Sequence, residues 1–202
     1  MEPVRLRLGE LPEDEIARRA AFVLRKGGIA LLPAEGVYGF HASSASASAV
    51  ARIQTLKGSA GRAGFIGLVA RPEDAARWAR LDAASERLVR EHWPGALTLV
   101  LDALPEVPSV LRSAEDTIAL RCPGSSFLRA VVRALDAGPL LSTSANATGM
   151  APAATPDDAP PGVADLVVDG GALPGTPSTL VRVSAAGIEV LRAGAIAIGN
   201  EP

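Results

Sequence analysis

The sequence predicts an α/β fold built on a mixed sheet. Short apolar runs, such as residues 29–32 and 65–69, alternate with stretches whose apolar residues recur at helical spacing. Residues 29–32 form a continuous apolar run, as in a strand covered on both faces. Near the C-terminus, residues 179–183 and 188–191 are joined by Ser184-Ala185-Ala186-Gly187, a hairpin-like connection. Helix-linked strands followed by a hairpin imply parallel and antiparallel pairing together.

The elements follow in order. Residues 12–26 read as a helix, with Ile16, Ala20, Val23 and Leu24 at helical spacing and Gly27-Gly28 as the stop. Residues 29–32 are a strand. Residues 46–56 are a helix with Val50, Ile53 and Leu56 along one face, and residues 65–69 are a strand. Arg71-Pro72 opens a helix to about Arg80, and Asp82 caps another to about His92. Residues 97–101 and 117–121 are strands, and 125–136 is a helix ended by Gly138 and Pro139. Leu140-Leu141 is a strand running into the polar loop Ser142-Thr143-Ser144-Ala145-Asn146. Residues 147–162 are rich in Ala and Pro and read as a surface loop with one helical turn. Residues 166–168 are a further strand. No internal repeat or linker divides the chain, so residues 1–202 are expected as one domain.

Composition narrows the function classes. Nearly half of the 202 residues are hydrophobic but only 3% are aromatic, so the core is built from Ala, Val, Leu and Ile. A net charge of -2 provides no global basic field for nucleic acid, though a local basic cavity is compatible with it. Lys57 is one of two lysines against 18 arginines. The single cysteine, Cys122, excludes an internal disulfide and fits a reducing compartment. Two histidines and one cysteine make poor material for a protein-built metal site. The N-terminus lacks an uninterrupted apolar stretch, and no apolar run reaches ~18 residues. A cytoplasmic protein with no membrane association is expected.

The polar stretch at 142–146 puts hydroxyls and an amide just past a buried strand, where ligands of α/β sheets bind. Such clusters also serve as turns and helix caps. Other motifs accompany it in order: Pro33-Ala34-Glu35-Gly36-Val37-Tyr38-Gly39, Leu56-Lys57-Gly58, His92-Trp93-Pro94-Gly95-Ala96-Leu97-Thr98, Ile118-Ala119-Leu120-Arg121-Cys122-Pro123, Asp169-Gly170-Gly171, Pro177-Ser178-Thr179-Leu180-Val181 and Val190-Leu191-Arg192-Ala193-Gly194. This ordered set resembles the YrdC-like family, the threonylcarbamoyl-AMP synthases and their relatives. Its motifs are P-T-[DE]-T-V-Y-G, K-x-R-P, W-P-G-P-L-T, V-R-x-P, S-x-N, G-G, S-T-V-V and R-x-G. The resemblance covers nearly the whole chain.

The resemblance implies a twisted, open mixed sheet with flanking helices around a large concave cavity. It implies condensation of threonine, bicarbonate and ATP, with Mg2+ carried by the substrate phosphates, and a product used in tRNA threonylcarbamoyladenosine modification. Lys57 matches the lysine of K-x-R and is assigned to catalysis; its alternative use is at the helix C-terminal dipole. Arg62 stands in for the missing arginine of that motif. Arg121, Ser142, Ser144, Asn146 and Arg192 are assigned to nucleotide and phosphate binding. The alternative for Arg121 is a structural ion pair. Ser178 and Tyr38 are assigned to the amino acid. Trp93-Pro94-Gly95 reads as architecture, and His41 has no partner spacing that argues for catalysis.

The chain also departs from the motifs. Both threonines of P-T-x-T are replaced, by Ala34 and Gly36, and Ser59 stands where K-x-R has its arginine. These losses fall on the amino-acid side and imply altered amino-acid specificity, for threonine or another small amino acid. A non-catalytic module binding a nucleotide, tRNA or double-stranded RNA is the alternative, although few aromatics are available for base stacking.

Overall fold

The structure is a computed structural model describing residues 2–58, 65–184 and 186–199. The described residues form a ten-stranded mixed sheet in the order β1-β8-β2-β3-β7-β4-β6-β5-β9-β10. Its strands are β1 (Val4–Arg7), β2 (Ala30–Ala34), β3 (Val37–Ser43), β4 (Ile66–Leu68), β5 (Leu97–Asp102), β6 (Thr117–Arg121), β7 (Leu140–Ser144), β8 (Leu166–Asp169), β9 (Thr179–Ser184) and β10 (Gly187–Arg192). The helices are α1 (Glu13–Arg25), α2 (Ala47–Lys57), α3 (Ala83–His92) and α4 (Ser126–Leu135). The expected α/β mixed sheet with flanking helices is what forms.

Two apolar layers cover the sheet. On one face, Ile16, Ala20 and Leu24 of α1 and Phe127, Leu128, Val131 and Leu135 of α4 pack on Leu32, Leu68, Leu140, Leu166 and Val168. Both helices have local reasons to form. Acidic residues fill the first turn of α1, Arg25 occupies its last turn, and Gly27 follows at φ +81°. Ser125 Oγ accepts from Leu128 N at 3.2 Å to open α4, and left-handed Asp136 closes it. On the other face, α2 and α3 bury Ala49, Val50, Ile53, Leu88 and Val89 against Leu31, Phe40, Leu97, Leu99, Leu120 and Val181. Helices α1 and α4 cover only one end of their face. Over β4, β6, β5 and β9 the residues Ile66, Ala119, Val100 and Leu180 stay half-buried, and a cavity of about 460 Å³ opens there.

The structure corrects the sequence reading at several points. Strand β3, VYGFHAS, was hidden because Gly39, His41 and Ser43 break its apolar run, although every one of its residues is buried. Strand β1, VRLR, is exposed at most positions and exists because it pairs in parallel with β8. The helix expected from Arg71 to Arg80 is a 3-10 segment, Pro72–Arg77. Beyond it, backbone bonds from Leu104 N to Trp78 O and from Arg80 N to Asp102 O pull the chain into edge pairing. Ser142, Thr143 and Ser144 lie inside β7, not in a loop after it.

Tyr38 ties two of these parts together. It is fully buried, its hydroxyl donates to Gly171 O at 2.8 Å, and it accepts from Gly170 N at 2.8 Å. Tyr38→Phe should leave both backbone groups unpaired and cost about 1–3 kcal/mol. Urea unfolding measures the loss, and faster amide exchange at Gly170 should accompany it.

Candidate active site

The antiparallel pairing of β3 with β7 sets Gly39 opposite Ser144 and His41 opposite Ser142. Side chains alternate along β7, so Ser142 and Ser144 share one face while Thr143 points to the other. Just past the strand, Lys57 from the end of α2 closes on the turn. Its ammonium donates to Ser144 O at 2.8 Å, to Asn146 O at 2.8 Å and to Asn146 Oδ1 at 3.0 Å, with Ser144 Oγ at 3.4 Å. Three donors thus meet three good acceptors. Ser144 Oγ also donates to Asn146 Oδ1, and Thr148 Oγ1 donates to Lys57 O at 2.7 Å. Lys57 is 8% exposed, and desolvation lowers its pKa to about 8. The lysine is therefore a clamp on the 144–146 turn, and its ammonium is not spent on its own helix carbonyls.

Arg121 ends β6 at 7% exposure. Its Nε donates to Gly95 O at 3.0 Å, and one terminal nitrogen forms an ion pair with Glu35 Oε2. The other Glu35 oxygen accepts from Ser125 N at 3.0 Å, at the start of α4. Glu35 occupies the tight β2–β3 connection at φ +56°. The structural ion pair considered for Arg121 is thus present. A carboxylate held by a guanidinium and a helix N-terminus satisfies the requirement that buried charges be paired.

Arg192 closes β10 and reaches Ser178, donating to its carbonyl at 2.9 Å and to its Oγ at 3.3 Å. Thr98 Oγ1 and Ser178 Oγ lie 2.8 Å apart. Loss of water around the guanidinium, then the Arg121 charge, hold Arg192 below the usual arginine value, although the residue as a whole is exposed. Two cations close enough to repel and a set of hydroxyls therefore line one side of the face. Arg192 also borders the 460 Å³ cavity, with Phe65, Ile66, Val100, Leu111 and Leu180. The arrangement suits a ligand with anionic oxygens at one end and an apolar ring at the other. Among the described residues, no three His, Cys, Asp or Glu side chains cluster as a metal site.

The structure joins Lys57 with Ser144 and Asn146, and Arg192 with Ser178. It places Ser142 on their face and Arg121 within the electrostatic reach of Arg192. Tyr38 sits in the core, holding the Gly170-Gly171 turn. Arg62 lies outside the described residues. Sequence reasoning left out Glu35 as the Arg121 partner and His41 as the Ser142 partner. Both pairs span long chain separations that only strand register joins. The missing hydroxyl at Gly36 also gains a cause: a Cβ there would lie 1.8 Å from Thr176 O, and Gly175 N donates to Gly36 O at 2.8 Å. The backbone of the 175–177 segment occupies the space a side chain would need.

The fold and the site define an α/β protein with a cationic, hydroxyl-rich cleft beside an apolar cavity. A family model for Sua5, YciO and YrdC proteins, described as telomere recombination, matches residues 22–194. The threonylcarbamoyl-AMP synthase of Halorhodospira halophila is 37% identical over 137 residues, covering 67% of this chain and 71% of that protein. The structure of Pyrococcus abyssi Sua5 complexed with L-threonine superposes with a TM-score of 0.85 at 29% identity, covering 96% of this chain and 58% of that one. Escherichia coli YciO gives a TM-score of 0.85 at 24% identity, covering 96% of both chains. The present chain thus spans just over half of the Sua5 protein. It belongs to the Sua5/YciO/YrdC family.

The Lys57 clamp has a pH signature. The folded ammonium gives up its proton at about 8 and the unfolded one near 10.5. Between those values the unfolded chain binds the extra proton, so this group makes stability rise with pH across the window. Lys57→Met should remove that rise. Comparing urea midpoints of both proteins at pH values just below and well above about 8 checks it. An identical pH dependence in the two proteins contradicts the assignment.

Proposed function

We propose that this chain is a threonylcarbamoyl-AMP synthase-type enzyme serving tRNA threonylcarbamoyladenosine modification. It condenses threonine, bicarbonate and ATP and releases pyrophosphate. The observation that carries the reading is that Ser142, Ser144, Arg121 and Ser178 share one face of the sheet with Arg192, which borders the cavity.

The chemistry needs that arrangement. The threonine nitrogen bonds to the bicarbonate carbon and water leaves, giving a carbamate. A carbamate oxygen then bonds to the α-phosphorus of ATP, the bond from that phosphorus to the bridging oxygen breaks, and pyrophosphate departs with the electron pair. Negative charge moves along the phosphate chain during this step, and fixed guanidinium groups and hydroxyls stabilise it without reorganising. Arg121 and Arg192 hold the phosphates, with Ser142, Ser144 and Asn146 positioning them. The cavity between Phe65 and Leu180 takes the base. Lys57 keeps the 144–146 turn, and with it Ser144 and Asn146, in place for the ligand. Ser178 addresses the amino-acid carboxylate, and Tyr38 acts there through the Gly170-Gly171 turn it holds. Mg2+ arrives with the triphosphate, whose oxygens are its natural ligands.

Amino-acid specificity is altered in this reading. The 175–177 backbone fills the space beside Gly36, so a small amino acid, threonine included, is bound without hydroxyls at positions 34 and 36. An RNA-binding role finds less support. Among the described residues Phe22 is the one aromatic side chain with large exposure, and it lies on α1 away from the cleft.

Pyrophosphate release from ATP, Mg2+ and bicarbonate should depend on threonine, with serine and alanine as comparison substrates. ATP binding without release in the presence of any small amino acid would sink the synthase assignment. Arg192→Ala should weaken ATP by about 10- to 100-fold, the range for one charged hydrogen-bonding group.

A further inference from the structure

A single cross-strand row on the cleft face of the sheet runs His41, Ser142, Ile66, Ala119, Val100 and Arg182. Burial declines along it: His41 is 0% exposed, Ser142 is 8% exposed and the remaining four are half-buried. His41 is therefore the last fully buried residue of the row, and Ser142 stands between it and Ile66, which borders the cavity. His41 Nε2 lies 3.2 Å from Ser142 Oγ, while Nδ1 has no hydrogen-bond partner among the described residues. The Gly39 and Ala30 carbonyls are near enough to favour a proton on the ring, yet neither meets hydrogen-bond geometry at Nδ1. Packing alone does not call for this arrangement. An aliphatic side chain would fill the site without burying an unpaired nitrogen.

We propose that His41 is a positioning residue whose Nε2–H donates to Ser142 Oγ, so that the serine hydroxyl proton is directed into the cleft toward an anionic oxygen of the ligand. An orphaned buried N–H is rarer than an acceptor left unfilled. The single ring proton therefore sits on Nε2, where an acceptor is in reach. Desolvation, assisted by the Arg121 charge, lowers the imidazole pKa to about 4, so a second ring proton is absent at neutral pH. Having accepted from the ring, the Ser142 hydroxyl spends its own proton elsewhere. Phosphate and carboxylate oxygens are acceptors and match a hydroxyl fixed as a donor. The ligand class rests on the nucleotide reading given above, whereas the tautomer does not.

Ring-nitrogen NMR of the 15N-labelled protein reads the tautomer directly. A proton on Nε2 is expected, with its resonance shifting when ATP with Mg2+, or pyrophosphate, is added. A proton on Nδ1, or no shift on saturation, overturns the proposal even where no His41 variant folds. Calorimetric titration of ATP supplies the second arm. His41→Leu and Ser142→Ala should each weaken ATP by about tenfold, and the double variant should be no weaker than either single one. His41→Gln, whose amide can donate from near the Nε2 position, should stay within about threefold of the parent. A role in packing alone would lower the melting temperature of His41→Leu and leave ATP affinity unchanged. Wild-type protein that binds neither ATP nor pyrophosphate defeats the nucleotide reading. Wild-type binding with additive single effects defeats the His41 role alone.

Discussion

The pairing of β3 with β7 at the middle of the sheet governs the rest of the site. It sets Gly39 against Ser144 and His41 against Ser142, and so decides which hydroxyls meet the cleft. A slip of one residue would turn Ser142 and Ser144 into the apolar layer and bring Thr143 out. The same pairing delivers the end of β7 to Lys57, whose ammonium then holds the 144–146 turn. Cross-strand neighbours on both sides, β2 and β4, make the register hard to change, because Leu32 and Leu68 are locked under α1 and α4.

Charge is managed by pairing rather than by quantity. The chain carries a net charge of -2, yet Arg121 and Arg192 lie within electrostatic reach of each other on one face, and Lys57 holds the turn that follows β7. Each is anchored by oxygen atoms: Gly95 O and Glu35 for Arg121, Ser178 for Arg192, and the 144–146 turn for Lys57. Anchoring limits the number of orientations the cations can take, and so prepares them for an anionic ligand before it arrives. Glu35 offsets part of the positive charge and fixes Arg121 against the start of α4. The acidic position of the P-A-E-G motif is thus an electrostatic partner for the arginine of R-x-P, a relation that no local pattern records.

The motif departures also acquire a physical content. Gly36 is more than a lost hydroxyl, since the Thr176 carbonyl stands where its side chain would begin. Two segments far apart in sequence are therefore matched to each other, and a change at one demands a change at the other. Tyr38 shows the complementary case. As a motif residue it was expected at the ligand, and the structure has its hydroxyl joining Gly170 and Gly171 from within the core.

By itself the sequence determined the family, the α/β class and the helices α1 to α4. These are legible because helical periodicity, caps and ordered motifs are local properties of the chain. Strand β3 escaped notice because Gly39, His41 and Ser43 break its apolar run, and β1 because an exposed edge strand has its reason for existing in its neighbour. Only the tertiary structure decided the partners: Glu35 with Arg121, Lys57 with the 144–146 turn, His41 with Ser142, and Gly36 with Thr176. Each of these contacts joins segments distant along the chain. Their geometry is set by sheet register and by main-chain packing, neither of which a single stretch of sequence contains.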